Sequence, residues 1–460
     1  MDGASRLPEG VAKLGKGFAG QLVGPGDVGY EEARRVHNGL IDRRPAMIAR
    51  CRGAVDVVDA VAFARSNALE IAVRGGAHNV AGRATVDGGL VIDLSLMKGV
   101  HVDPRARRGR AQGGVTWAEF DRETQAHALA TTGGVVSSTG IAGLTLGGGL
   151  GWLMGKHGLT VDNLESVEIV TADGRILAAA EEQHGDLFWA VRGGGGNFGV
   201  VTSFEYRLHP VGPVVTGGFV AHPFERAREV LRFYRDVTAG VPDEITMVAG
   251  LIHGPDGSKL AVIALCHCGD LKAGEAAAAP VKSFGSPVID IMGPISYCEQ
   301  NALLDAAYPK GALNYWKSSF LAALSDDAIA TAVDCFARTT SPMSQIFFEH
   351  VHGKAASVPV AATAFPHRRQ GFNLLVFSQW AEPADTERGL QWAQETEAAM
   401  GRFYDRGRYV NYQSDEGPDV VASAYGANYP RLRETKARYD PENVFHLNQN
   451  IIPKDRAGTS

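Results

Sequence analysis

Apolar residues recur along this chain at two periods, and each change of period marks an element. Short β-branched runs occupy 47–52, 70–74 and 90–94, and over 54–68 Val57, Val61 and Ala64 recur at helical spacing. The pattern predicts strand, helix, strand, loop, strand. Residues 116–130 read as a helix opened by a capping box, Thr116 with Glu119, just ahead of Phe120. Two runs, 166–171 and 175–177, flank the turn signal Asp173-Gly174 and predict a hairpin within 164–177. A brief helix over 186–190 and a strand over 200–208, where Phe204, Tyr206 and Leu208 alternate with Glu205 and Arg207, complete this half.

Past His209-Pro210 and Pro213 the pattern changes, and a domain boundary is expected there. Helices are predicted over 224–237, with Phe224, Ala227, Leu231 and Tyr234 on one face, and over 326–338 and 385–400. Strands are predicted over 244–252, 259–266, 315–321, 345–350, 372–380 and 408–412. Long strands separated by helices imply one sheet covered by helices, a lid over what the first half holds. The chain closes with a helix, a turn and an Asn-rich terminus.

Glycine changes this picture. Its 56 residues gather in clusters, which marks loops of special backbone geometry rather than a flexible repeat. The first cluster follows the strand ending at Arg74 and reads Gly-Gly-Ala-His78-Asn79-Val-Ala-Gly82. Successive amides there form a nest for phosphate oxygens, to which Arg74 would add charge. A lone loop histidine has ordinary packing roles as well as chemical ones, and the loop does not choose between them. It is not Gly-x-Gly-x-x-Gly, and 83–89 lacks a helical pattern, which disfavours a Rossmann dinucleotide site. The second cluster, 133–152, interleaves Gly140, Gly143, Gly147, Gly148, Gly149 and Gly151 with Leu144, Leu146 and Leu150, ending at Trp152. It implies close backbone approach to something flat or anionic. The third, 193–196, runs through Asn197-Phe198-Gly199 into Val200 and Val201. Asn448, Gln449 and Asn450 suit the polar edges of a buried ring system or a plain polar coil equally.

The remaining composition narrows the class. A chain of 460 residues, 45% hydrophobic and 21% charged, has room for two or three domains and a large core. Net charge is −6, with no basic stripe for nucleic acid and no polybasic run for a membrane surface. No apolar stretch of about 18 residues occurs, and the first residues lack a signal-type apolar region, so a cytoplasmic protein is expected. Five scattered cysteines suit reduced thiols. Cys266-His267-Cys268 ends an apolar strand and has no second ligand pair at metal spacing, so a structural role is expected and no metal.

Together the segments Arg74-Gly-Gly-Ala-His78-Asn, Gly140-Ile-Ala-Gly-Leu-Thr-Leu-Gly-Gly-Gly149, Asp162-Asn163-Leu164, Asp186 through Gly199, Tyr409-Val-Asn-Tyr412 and Tyr439-Asp-Pro-Glu-Asn-Val-Phe, with Asn448-Gln-Asn450, span nearly the whole chain. In this order they resemble the berberine bridge enzyme-like branch of the vanillyl-alcohol-oxidase-type flavoproteins, whose bacterial members include 6-hydroxynicotine oxidases. The resemblance implies an α+β chain. A PCMH-type FAD-binding domain of two α/β subdomains takes 1–212, and a substrate domain with an antiparallel sheet covered by helices takes 213–414. A C-terminal segment, 415–460, returns to the FAD domain. Implied cofactor contacts are Arg74, Gly75, Gly76, Ala77, His78, Asn79 and Gly82; Val136, Ser138, Gly140, Gly143, Leu144, Gly147, Gly148, Gly149, Gly151 and Trp152; Asn163; Gly199, Val200 and Val201; and Asn448 and Asn450. His78 is implied to bond the flavin's 8α carbon.

Three departures limit the transfer. Many relatives bind the flavin a second time through a cysteine; Val136 stands at that position, so a single link is expected. Val80 and Leu144 replace a tyrosine and a histidine that berberine bridge enzyme carries, so its substrate chemistry does not carry over. The resemblance further implies hydride transfer from a small alcohol, sugar, amine or secondary metabolite to FAD, with dioxygen reoxidising it to give hydrogen peroxide. A dehydrogenase with another acceptor, or a flavin-binding protein without turnover, remains open. Tyr409, Asn411 and Tyr412 are implied in catalysis. Strand alternation would put Tyr409 and Asn411 on one face and Tyr412 on the other. A tyrosinate base needs cations or hydrogen bonds to lower its pKa, and His350, His352, His367 and Arg368 are candidates to supply them.

Overall fold

The computed structural model describes residue 14 and residues 17–405, 407–414 and 418–454. The outer ends of the expected segments 1–212 and 415–460, and the start of the latter at 415–417, lie outside the described residues. Three main sheets carry the chain. In the first, Met47–Arg50, Leu90–Asp93 and Ile71–Arg74 run parallel side by side, and Gln21–Val23 adds an antiparallel edge. Parallel neighbours need a crossover, which the helix Ala54–Ser66 provides. Its Val57, Ala60, Val61 and Ala64 are buried with Met47, Ile71, Leu90 and Ile92. The glycine loop after Arg74 therefore leaves from the carboxyl ends of parallel strands, where open α/β sheets hold ligands.

The second sheet is antiparallel, in the order Val100–Asp103, Arg108–Gln112, Val200–Arg207, Leu164–Val170, Ile176–Ala180. Its last pair is the expected hairpin. One helix is shorter than its sequence predicts. The capping box is present, but the helix Trp117–Gln125 stops before 130. The Gln125 amide donates to the carbonyls of Leu129 and Val211 at 2.8 and 2.9 Å, and Ala128 takes φ +52°. The chain then pairs Leu129–Ala130 with His209–Pro210. The strand pairing wins over the local helical pattern.

The third sheet has eight strands and only antiparallel pairs, with Val214–Pro223, Lys259–His267, Ile245–His253, Gln345–Val351, Gly371–Trp380 and Leu313–Leu321 adjacent in that order. Its two faces differ. Ala249, Leu251, Ile263, Ile346, Phe348, Leu374 and Val376 pack beneath the helices Ala227–Thr238, Asp326–Ala337 and Thr386–Met400. Val248, Val262, Phe347, Leu375 and Phe377 face the other way. Beyond this sheet the chain returns, and Tyr425, Leu432, Tyr439 and Ile451 are buried in one cluster with Trp117, Leu187, Phe198 and Phe204. Among the described residues no helix is long and apolar enough to cross a membrane.

Candidate functional site

His78 sits in a loop bent by Ala77, which takes φ +58°. The main-chain N–H of His37 donates to the Ala77 carbonyl at 3.0 Å and holds that bend. The His78 ring is fixed on two sides. Its Nε2 lies 2.9 Å from the Ser138 hydroxyl, and the His37 ring stacks on it with centroids 3.9 Å apart and planes 23° apart. Burial, reinforced by the neighbouring histidine, pushes the His78 pKa down to about 3, and burial with nearby Lys310 pushes that of His37 to about 4. Both rings are neutral at pH 7.

One cavity runs from this loop to the third sheet. Of the residues expected at the cofactor, Gly75, Gly76, Ala77, His78, Asn79, Val136, Gly140, Gly143, Leu144, Gly199, Val201 and Asn448 line it. Thr139, Arg83, Tyr425 and Gln449 join them without having been singled out as contacts. The glycines matter sterically: a Cβ on Gly76 would lie 2.3 Å from the Gly140 nitrogen, so the two loops cross backbone to backbone. On the tail, Asn448 donates to the Gly196 carbonyl at 3.0 Å, while the buried Gln449 Oε1 and Asn450 Oδ1 have no hydrogen-bond partner among the described residues. Close-crossing backbones and orphaned amide oxygens fit a flat, polar-edged group such as FAD.

Other expected contacts lie elsewhere. Arg74 turns away from the cavity, donating to the carbonyls of Ala33, Arg34 and Ala84 beside Asp93. Gly82 abuts Ile41, and a Cβ on Gly151 would overlap the Gly133 carbonyl. Trp152 and Val200 are core residues, and Asn163 bonds the carbonyls of His157 and Leu159. Ser138 contacts the His78 ring. Gly147 makes room for the Asn411 amide, Gly148 for the Phe365 ring, and Gly149 donates to the Tyr409 hydroxyl at 2.9 Å.

The far wall is aromatic. Tyr308, Trp316, Phe347 and Phe377 line it, with Trp316 and Phe377 centroids 4.6 Å apart. One carboxylate, Glu349, is buried among them, 5% exposed. Asn373 donates to its Oε2 at 2.8 Å and the Tyr412 hydroxyl to its Oε1 at 3.2 Å. Burial raises its pKa to about 7 despite these two donors. Glu349 was missed in the sequence, where its signal is the single carboxylate in the fully buried strand Gln-Ile-Phe-Phe-Glu-His-Val.

Residues 408–412 are not the expected strand. Val410–Tyr412 is a 3-10 turn, so Tyr409 and Tyr412 come together, rings 4.8 Å apart, and both line the cavity with Asn411. Three residues of a tight turn share a face that strand alternation would separate. Tyr409 accepts from the Gly149 N–H and, at 2.8 Å, from the Asn411 amide, yet burial lifts its pKa to about 12 and that of Tyr412 well above the usual value. The expected cations do not offset this. Burial holds His350 near 3 and His367 near 4, the latter bonded to the carbonyls of Arg408 and Ala424. His352 is likewise lowered, and Arg368 forms a bidentate pair with Asp162 at 2.7 Å.

Comparison with known proteins accords with this geometry. Residues 45–180 match the FAD binding domain family, and residues 408–452 match the family of berberine and berberine-like proteins. The (R)-6-hydroxynicotine oxidase of Paenarthrobacter nicotinovorans is 32% identical over 95% of this chain and 97% of its own. An FAD-linked oxidoreductase of Dictyostelium discoideum is 32% identical over 89% of each chain. The crystal structure of 6-hydroxy-D-nicotine oxidase from Arthrobacter nicotinovorans superposes with a TM-score of 0.88 at 31% identity, covering 95% of this chain and 98% of that one. Physcomitrella patens BBE-like 1, at 21% identity and a TM-score of 0.87 over 97% of this chain and 100% of that one, shares the fold. The chain belongs to the berberine bridge enzyme-like family of FAD-linked oxidoreductases.

Proposed function

We propose that this chain is an FAD-dependent oxidase. It moves a hydride from a small organic molecule to FAD bonded through His78 alone, and dioxygen takes up the electrons and leaves as hydrogen peroxide. The observation that carries the reading is one cavity with two chemically different walls: the His78 loop, glycines and tail on one side, an aromatic shelf with a single carboxylate on the other. Bound FAD supplies the hydride acceptor. Residues 75–79, Gly140, Gly143, Gly199, Val201 and Asn448 would hold it, and the neutral His78 imidazole is a competent nucleophile for the link. Glu349, poised near pH 7, takes the proton of the substrate's O–H or N–H while Asn373 and Tyr412 hold its two oxygens. Among the described residues the aromatic wall presents no lysine or arginine. That supports a flat apolar molecule bearing an amine or hydroxyl over a sugar, which needs many polar partners. Burial of the returning tail in the core of the first half supports an FAD-binding unit of 1–212 with 415–460 around an inserted substrate unit, 213–414.

Acid precipitation tests the link: the pellet is expected to stay yellow and fluorescent, and His78→Ala to release its flavin. Flavin in the supernatant of the unmutated protein refutes the covalent reading. Anaerobic bleaching by ring-bearing amines or alcohols, followed by rapid reoxidation in air, is expected in stopped flow. Slow reoxidation would make it a dehydrogenase, and no bleaching by any amine, alcohol or sugar a binding protein.

A further inference from the structure

His37 belongs to none of the glycine motifs, yet it and its neighbour hold the His78 loop from both sides. Its N–H reaches the Ala77 carbonyl at 3.0 Å, and its own carbonyl accepts from Gly311 at 2.9 Å. The Asn38 amide donates to the Val80 carbonyl at 2.7 Å and the Asn314 carbonyl at 2.9 Å, and its Oδ1 accepts from the Asn314 N–H at 2.9 Å. The residues flanking His78 are thus tied to the strand Leu313–Leu321 of the third sheet. The His37 ring is only 6% exposed and lies flat against His78, while Ser138 takes the edge. A ring held on one face and one edge keeps a single orientation, and it loses no rotamer entropy when it reacts.

We propose that His37 is the positioning residue for flavin attachment: its stacked ring, with Ser138, holds the His78 imidazole in one orientation as a neutral nucleophile toward the flavin's 8α carbon. This rests on the covalent link proposed above. Attachment forms one N–C bond and breaks one C–H bond of the flavin methyl and one N–H bond of the imidazole. Dioxygen accepts the two protons and two electrons released and becomes hydrogen peroxide. His37 exchanges no proton in this step. Its Nε2 has no partner among the described residues, so the ring gains nothing by protonation and stays an uncharged plate.

The test uses the full chain purified from riboflavin-limited cells, mixed with FAD in air, and compares the rate of acid-stable flavin incorporation with total bound flavin. The unmutated protein is expected to convert fully. His37→Ala is expected to bind FAD but attach it at least tenfold more slowly, and His37→Phe, which restores a flat ring, to come within threefold of the unmutated rate. In nitrogen-15 spectra of the flavin-free protein, the His78 ring is expected to stay neutral to low pH in the unmutated and His37→Phe proteins. In His37→Ala it is expected to titrate nearer the ordinary histidine range. Attachment by His37→Ala at the unmutated rate, or by His37→Phe as slowly as His37→Ala, overturns the inference while leaving the covalent link standing. Loss of FAD binding in both variants places His37 in the fold instead and overturns it too. No acid-stable flavin in the unmutated protein removes the link itself, and the inference with it.

Discussion

Glu349 concentrates the chemistry of the far wall in one side chain. Only its ionised form accepts a proton, so kcat/KM is expected to rise as pH passes through about 7. Glu349→Gln is expected to lower kcat by roughly 10²–10⁴-fold and to abolish that limb, measured as the pH profile of flavin reduction. Tyr412 donates to Glu349 and lowers its pKa. Tyr412→Phe is therefore expected to move the limb to higher pH, and an unmoved limb would exclude Glu349 as its source. The two walls were unequally legible. His78 is singled out by the family resemblance that its glycine loop helps to carry, and glycine clusters are visible in any linear reading. Glu349 is one carboxylate in a short buried strand, and its proposed role depends on Asn373 and Tyr412, which only the register Glu349 opposite Asn373 and the turn at 410–412 bring to it.

Elements with a strong period or a turn signal were read closely, as in the helix Ala54–Ser66 and the hairpin Leu164–Val170 with Ile176–Ala180. Errors fell where a tertiary contact overrides a local pattern, at Gln125, whose side chain ends its helix, and at 408–412. The returning tail shows a contact no period reveals. From the helix Tyr429–Tyr439, Lys436 is fully buried and donates to Asp440 at 2.6 Å and to the carbonyls of Asn197 at 2.6 Å and Phe445 at 2.9 Å. It pins the tail to the third glycine cluster. Lys436→Met leaves Asp440 buried without its cation and is expected to cost about 3–5 kcal/mol in denaturant unfolding. Adding Asp440→Asn is expected to recover part of that loss, since the uncompensated charge goes with it.

Across the whole molecule, buried and half-buried polar contacts join the two halves: Asp162 with Arg368, Ser137 with Asp305, Asn38 with Asn314, and Asp121 with Asn301. Asp121, only 1% exposed, is one of the carboxyls among them. Burial pushes its pKa up to about 7, against the Asn301 donor, from a carboxyl's ordinary 3.8. A folded pKa above the unfolded one gives stability that is complete below about pH 4 and is lost as pH climbs through 7. The loss is of order 4 kcal/mol. Melting temperature is therefore expected to fall between pH 5 and 8, and Asp121→Asn to flatten that slope in a thermal-shift titration; an unchanged slope would refute it. The third sheet shows what a period of two permits at this scale. In the strand Gln345–Val351, Ile346 and Phe348 lie under the helices while Phe347 and Glu349 face the cavity, and Leu374 and Val376 alternate likewise with Leu375 and Phe377. Stability and specificity are thus written in alternate codons of the same stretch of gene. A lineage can change what it oxidises one codon in two, while the codons between keep the fold.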